Sequence, residues 1–131
     1  MNLLEEIVAW DSAWLHARAI NHRAPDHPLR RAGQLSAICG IEYAAQGVAL
    51  HGVLNAQDQG PGAGLLASVR AVTLEVDRLD DIQGVLDIAV TQVAATGSTV
   101  LYEFCMSSSE RPLLSGRLAI VLHPPQFEAP A

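Results

Sequence analysis

Apolar and polar positions divide the chain into strands placed on either side of one long, almost uniformly apolar segment. Residues 2–10 alternate loosely and predict a short strand, Asp11-Ser12 a turn, and residues 13–20 a second strand. In that second strand Ala13, Leu15, Ala17 and Ala19 share one face, while Trp14, His16, Arg18 and Ile20 share the other. Residues 21–34, NHRAPDHPLRRAGQ, are a loop by composition, with two prolines and a glycine. Four more strands follow the apolar segment. The first covers residues 65–76, with Ser68, Arg70, Val72, Leu74 and Val76 on one face, and 77–83 make an acidic turn. Residues 85–93 place Leu86, Ile88 and Val90 together, and Thr96-Gly97-Ser98 reads as a hairpin turn. Residues 99–106 align Val100, Tyr102, Phe104 and Met106; a turn over 107–112 leads to 114–122, which align Leu118, Ile120 and Leu122. Pro124 and Pro125 stop that strand and leave a frayed tail over 124–131.

The apolar segment, residues 33–52 (GQLSAICGIEYAAQGVALHG), reads as one helix ending near Asn55, with 56–64 a flexible turn. Between Ala37 and Leu54 the strongly polar side chains are Glu42, Gln46 and His51, with Tyr43 as an amphipathic neighbour. A surface helix carries an apolar stripe opposite a charged face. This one is apolar nearly all round, so it is expected inside the domain. Ser36 is placed to cap its start. Gly40, Gly47 and Gly52 weaken the helix, a cost that makes sense where sheet backbone packs closely against it. Serial strands joined by short turns predict a mainly antiparallel sheet. Six strands curled around one long buried helix, an α+β fold in one domain over residues 1–131, is the simplest arrangement that buries both.

Composition narrows the function. The net charge of −6 argues against nucleic acid and anionic membranes as partners. All eight basic residues are arginine, and three of them, Arg23, Arg30 and Arg31, form a basic patch in the loop before the helix. The apolar segment is interrupted by polar groups, which argues against a membrane span, and the acidic N-terminal stretch is unlike a signal peptide. Cys39 and Cys105 lie in apolar runs and are expected as reduced, buried thiols of a soluble, cytoplasmic protein. The five histidines are scattered and no metal constellation, phosphate loop or GxSxG elbow occurs. Glu42 is the anomaly. A carboxylate in such a helix is costly to ionise unless it is paired or solvated at a site.

The run Gly40-Ile41-Glu42-Tyr43-Ala44-Ala45-Gln46, preceded by the loop His27-Pro28-Leu29-Arg30-Arg31-Ala32-Gly33, resembles the 3-hydroxyacyl-acyl-carrier-protein dehydratases of the hotdog fold. In those proteins a sheet wraps a central helix that begins xxxxExxAQ and follows a histidine loop, HFPxxPxxPG. The likeness extends over nearly the whole chain and is greatest to the divergent dehydratase-like proteins of aryl-polyene-type pathways. The histidine half departs from the pattern. His27 stands fifteen residues before Glu42 rather than fourteen, and Ser36-Ala37 stands where the pattern has Pro-Gly.

The resemblance implies a fatty-acid or polyene biosynthesis enzyme that removes water from a 3-hydroxyacyl thioester carried on phosphopantetheine, with no other cofactor. It implies that His27 takes the proton from C2 and Glu42 protonates the departing hydroxyl at C3. The N–H groups of Ala37 and Ile38 would polarise the thioester carbonyl. Gln46, one turn beyond Glu42, would orient the carboxyl, the substrate or a facing subunit. The patch Arg23, Arg30 and Arg31 would dock an acidic acyl carrier protein or the phosphates of its arm. His22 is the fallback for His27. His51, about 180° round the helix from Glu42, reads as a packed or helix-end histidine, His16 as surface and His123 as structural. Family members pair edge to edge, which implies a homodimer or larger assembly, or a hetero-oligomer with another hotdog subunit. Two other readings stay open: a non-catalytic subunit that supports an active hotdog partner, and an acyl-thioesterase in which Glu42 activates water.

Overall fold

The computed structural model describes residues 2–56 and 64–122. The chain runs β1 (Glu6–Trp10), β2 (Trp14–Ala19), α1 (Gly40–Ala56), β3 (Gly64–Leu74), β4 (Leu86–Thr96), β5 (Thr99–Ser108) and β6 (Arg111–Leu122). The strands form a single antiparallel sheet in the order β1-β2-β4-β5-β6-β3, with α1 against β2, β4 and β5. The expected tail, His123 and most of the turn before β3 lie outside the described residues.

Alternation decides which face of each central strand is buried. Leu15, Ala17 and Ala19 of β2 are fully buried, as are Leu86, Ile88 and Val90 of β4. Tyr102, Phe104 and Met106 of β5 and Leu118 of β6 complete the inner face, and Tyr43, Ala44 and Val48 of α1 lie on it. Each fully buried aliphatic side chain contributes about 1.5–3 kcal/mol. Small residues permit the close fit: a Cβ on Gly40 would stand 2.7 Å from the buried Leu114 side chain. On the outer face, cross-strand ion pairs replace packing. Asp87 accepts from His16 Nε2 at 2.8 Å and Arg18 Nε at 3.0 Å, and Arg117 reaches Glu103 at 3.2 Å.

Four expectations need correcting. Alternation does not hold through β3: the register shifts between Arg70 and Thr73, where Ala71 takes a φ of 55°, so the five residues grouped on one face do not share it. The first strand is short, because Leu3 and Leu4 leave the sheet to enter the core, and all five residues of β1 are exposed. Cys105 is an exposed outer-face residue rather than a buried thiol, while Cys39 is half-buried. The turn between β5 and β6 is also tighter than expected. Ser109 and Glu110, both at positive φ, connect Ser108 directly to Arg111.

The loop before α1 is ordered by hydrogen bonds. The N–H groups of Ala24, His27 and Arg30 donate to the carbonyls of Asn21, Ala24 and His27, so successive tight turns run the length of the loop. Ala32 and Gly33, both at positive φ, close a two-residue turn between Arg31 and Gln34. A second segment clips the helix entry: Ala37 N–H donates to Asp77 O, Leu79 N–H to Leu35 O, and Leu35 N–H to Asp80 Oδ1 at 2.9 Å. Arg78 Nε also donates to Asp80 at 3.1 Å. That bond and the Leu35 N–H hold the Asp80 carboxyl well below the usual carboxylate range, against the effect of burial. His22 sits under the loop, its Nε2–H donating to Ile82 O at 3.0 Å, and burial pushes its pKa down.

Two predictions follow from this packing. At Gly116 a Cβ would lie 2.9 Å from the Phe104 ring and 3.2 Å from Arg70 O, so Gly116→Ala is expected to destabilise by about 1–3 kcal/mol. Gly52 is exposed with nothing within 4 Å, so Gly52→Ala is expected to stabilise by about 0.5–1 kcal/mol. Denaturant titration of the two variants checks both signs. The pH dependence has two stages. His22 has a depressed folded pKa, so its contribution is intact above the unfolded value of about 6.5 and is lost as pH falls below it. The Asp80 contribution is intact above about 3.9 and is lost below that. Melting temperature should therefore drop in two stages on acidification, and His22→Asn should shrink the first.

Candidate active site

The helix begins as a 3-10 turn, Ala37–Cys39, capped by Ser36, whose Oγ accepts from Ile38 N at 3.4 Å. Gly40–Ala56 then continues as α-helix. At 100° per residue, Tyr43, Ala44, Val48 and His51 turn to the sheet. Glu42, Ala49, Gly52 and Val53 turn away, with Ile38 at the entry; Ile38 is 47% exposed and Val53 53%. Enclosure all round was expected; the helix is buried on one side. Together with its entry turn, residues Ala37–Asn55 are in fact long and apolar enough to cross a bilayer by composition, a property that core helices share. Here the sheet takes one side of it.

Glu42 is therefore exposed within an apolar helix face among the described residues. Its carboxylate acts electrostatically on Cys39. Burial and the Glu42 carboxylate push that thiol above its ordinary value, against a smaller pull from Arg31, so Cys39 is a neutral thiol at pH 7 and no activated nucleophile.

His27 lies on the other side of Tyr43 and is buried. Its Nδ1 accepts the Leu29 N–H at 3.1 Å, and its Nε2 meets Tyr43 Oη at 3.0 Å. The Tyr43 hydroxyl donates to Asn21 Oδ1 at 2.8 Å. Burial, then Arg30, push the His27 pKa down, and burial pushes that of Tyr43 far up, so both groups are neutral. The ring is thus engaged at both nitrogens, on the buried face of the helix that carries Glu42 on its exposed one. The fallback His22 is more deeply enclosed, and its Nδ1 has no hydrogen-bond partner.

Other residues singled out from sequence have local work. The Ala37 N–H is held by Asp77 O at 2.9 Å and cannot meet a thioester carbonyl; Ile38 N–H has only the long contact to Ser36. Gln46 Oε1 accepts the Leu3 N–H at 2.8 Å and ties the N-terminal segment to the helix. Arg30 donates to the carbonyls of Ala24, Gly33 and Arg23, and Arg31 to those of Pro28 and Arg30. Arg23 reaches Gln83 O at 3.4 Å. The patch therefore staples its own loop, while Arg23 and Arg31 stay exposed. His51 is fully buried as a packing residue, accepting from Tyr102 Oη at 2.7 Å and donating to Asp11 O at 2.8 Å. Among the described residues no cluster of three or more His, Cys, Asp or Glu could hold a metal. Sequence reading missed Tyr43 as the polar partner of His27 and Asn21 as the acceptor of the Tyr43 hydroxyl. No pattern in the sequence marks these bonds, which join a loop to the helix after it.

Three comparisons locate this arrangement. Among curated protein sequences none matches the chain. Solved structures share its fold: the dehydratase heterocomplex ApeI:P from Xenorhabdus doucetiae superposes with a TM-score of 0.80 at 22% identity, covering 95% of this chain and 84% of that one. A mutant of the thioesterase PA1618 from Pseudomonas aeruginosa gives 0.68 at 16% identity, covering 90% and 80%. The thioesterase HI1161 from Haemophilus influenzae gives 0.69 at 14%, covering 95% and 82%. The fold is thus the hotdog fold. A family model described as ApeP dehydratase matches residues 1–130, so the chain belongs to the ApeP-like family of dehydratases.

Proposed function

We propose that this dehydratase acts on a 3-hydroxyacyl thioester borne on the phosphopantetheine arm of an acyl carrier protein, in a site completed by a second hotdog subunit. The observation that carries the reading is the placement of Glu42. It is an ionisable group in the middle of an exposed apolar helix face, between Ile38 and Val53. Covering that face with a second subunit would remove water from around Glu42 and form a slot for an acyl chain between two apolar walls. That a dehydratase of the same fold is a heterocomplex supports the need for a second subunit.

The reaction removes a proton from C2 and expels the C3 hydroxyl as water, leaving a 2,3-double bond. Glu42 supplies the proton to the departing hydroxyl. The base at C2 is His27 if its Nδ1 lone pair can leave the Leu29 N–H, or otherwise a group of the second subunit. The exposed charges of Arg23 and Arg31, next to the entry of α1, suit an acidic carrier protein or its phosphate. The engagement of both His27 nitrogens favours one alternative, a supporting subunit whose active partner does the proton transfers.

The deciding measurement is the intact mass of a 3-hydroxyacyl carrier protein after incubation with the chain, alone and with any hotdog subunit that copurifies with it. Loss of one water is expected, with Glu42→Gln lowering kcat by about 100-fold or more. An unchanged rate in folded Glu42→Gln would transfer the chemistry to the partner. Release of free thiol instead would make the protein a thioesterase.

A further inference from the structure

The hydrogen bonds of Leu29, His27, Tyr43 and Asn21 run in one direction, set by the Leu29 N–H at one end and the Asn21 amide oxygen at the other. The Leu29 backbone can only donate, so the Nδ1 it meets at 3.1 Å must carry a lone pair. The proton of the neutral ring then sits on Nε2, which donates to Tyr43 Oη at 3.0 Å. The tyrosine's own proton is directed at Asn21 Oδ1, 2.8 Å away. Tyr43 is fully buried and its ring lies close to parallel with that of His27, at 29°. Successive turns of the loop bring Asn21 and His27 to the same hydroxyl.

We propose that Tyr43 and Asn21 are positioning residues that fix the proton of His27 on Nε2, leaving Nδ1 as the ring's basic atom. His27 then takes up a proton only by parting from the Leu29 N–H. A proton on Nδ1 would set two donors against each other at about 3 Å, so accepting one opens the turn at Leu29. The charged and titratable neighbours of the ring are Arg30, Asp26 and His22, with Tyr43 from the helix; burial and Arg30 favour the neutral ring. The kinetic consequence rests on His27 as proton acceptor, as proposed above. The position of the proton does not.

The test uses the full chain with 15N-labelled histidine and long-range proton–nitrogen correlation to read the tautomer of each ring. Wild-type His27 is expected as a single neutral form protonated on Nε2. Asn21→Leu removes the acceptor and frees Tyr43 to donate into Nε2. It should shift His27 toward the Nδ1–H form and speed exchange of the Leu29 amide. Asn21→Asp keeps an acceptor and should retain the wild-type pattern. Tyr43→Phe preserves the packed ring and should give mixed tautomers, deciding the matter if Asn21→Leu does not fold. In the dehydration assay, Asn21→Leu should lower kcat about tenfold at unchanged KM, with recovery in Asn21→Asp. An Nε2–H pattern that persists in both Asn21→Leu and Tyr43→Phe would overturn the proposal and leave Leu29 as the determinant. A wild-type His27 protonated on Nδ1 would also overturn it. Tautomer shifts as expected in a chain that dehydrates nothing would uphold the proton assignment and sink the catalytic reading alone.

Discussion

A sheet can cover one side of a helix, and α1 is apolar on both. Tyr43, Ala44 and Val48 satisfy the sheet, but Ile38, Ala49 and Val53 are exposed among the described residues. Burying a large side chain of this kind contributes about 1.5–3 kcal/mol, so covering this face would stabilise an assembly. Glu42 stands in that face. Its chemistry therefore depends on what covers the helix, because the same carboxylate behaves differently in water and in an apolar slot.

The two sides of α1 divide the polar work. On the inner side every group has a defined partner. His51 joins Tyr102 to the turn before β2, and Tyr43 joins His27 to Asn21. These buried bonds hold the ends of the helix against the sheet, and breaking one would leave the other partner buried and unsatisfied. On the outer side Glu42, with the half-buried Gln46 one turn on, interrupts the apolar surface. The first turn is held differently again, through Asp77 and Asp80, which take the Ala37 and Leu35 N–H groups. That clip fixes the angle at which Glu42 is presented and removes the Ala37 N–H from any part in catalysis.

The arginine loop shows how sequence composition can mislead about role. Three arginines in fourteen residues look like a docking patch, and two of them do remain exposed. Yet Arg30 uses its guanidinium on three carbonyls of its own loop, because a chain of tight turns leaves acceptors that no regular element satisfies. The loop that holds His27 is tied to itself by these bonds.

Strand alternation and the apolar run of α1 were enough, from sequence, for an antiparallel sheet on one helix, because burial on a single face imposes a period of two on β2, β4 and β5. They also identified Glu42 as out of place. Alternation could not reveal the bulge at Ala71, since a positive φ at alanine leaves no mark in the sequence. Nor could it show which side of α1 would be left bare, because an all-round apolar helix carries no stripe to orient it. The pairing of His27 with Tyr43 joins a loop to a helix sixteen residues away. Only the tertiary structure decides such a contact: it depends on where the loop's turns place the imidazole, and neither residue alone specifies its partner.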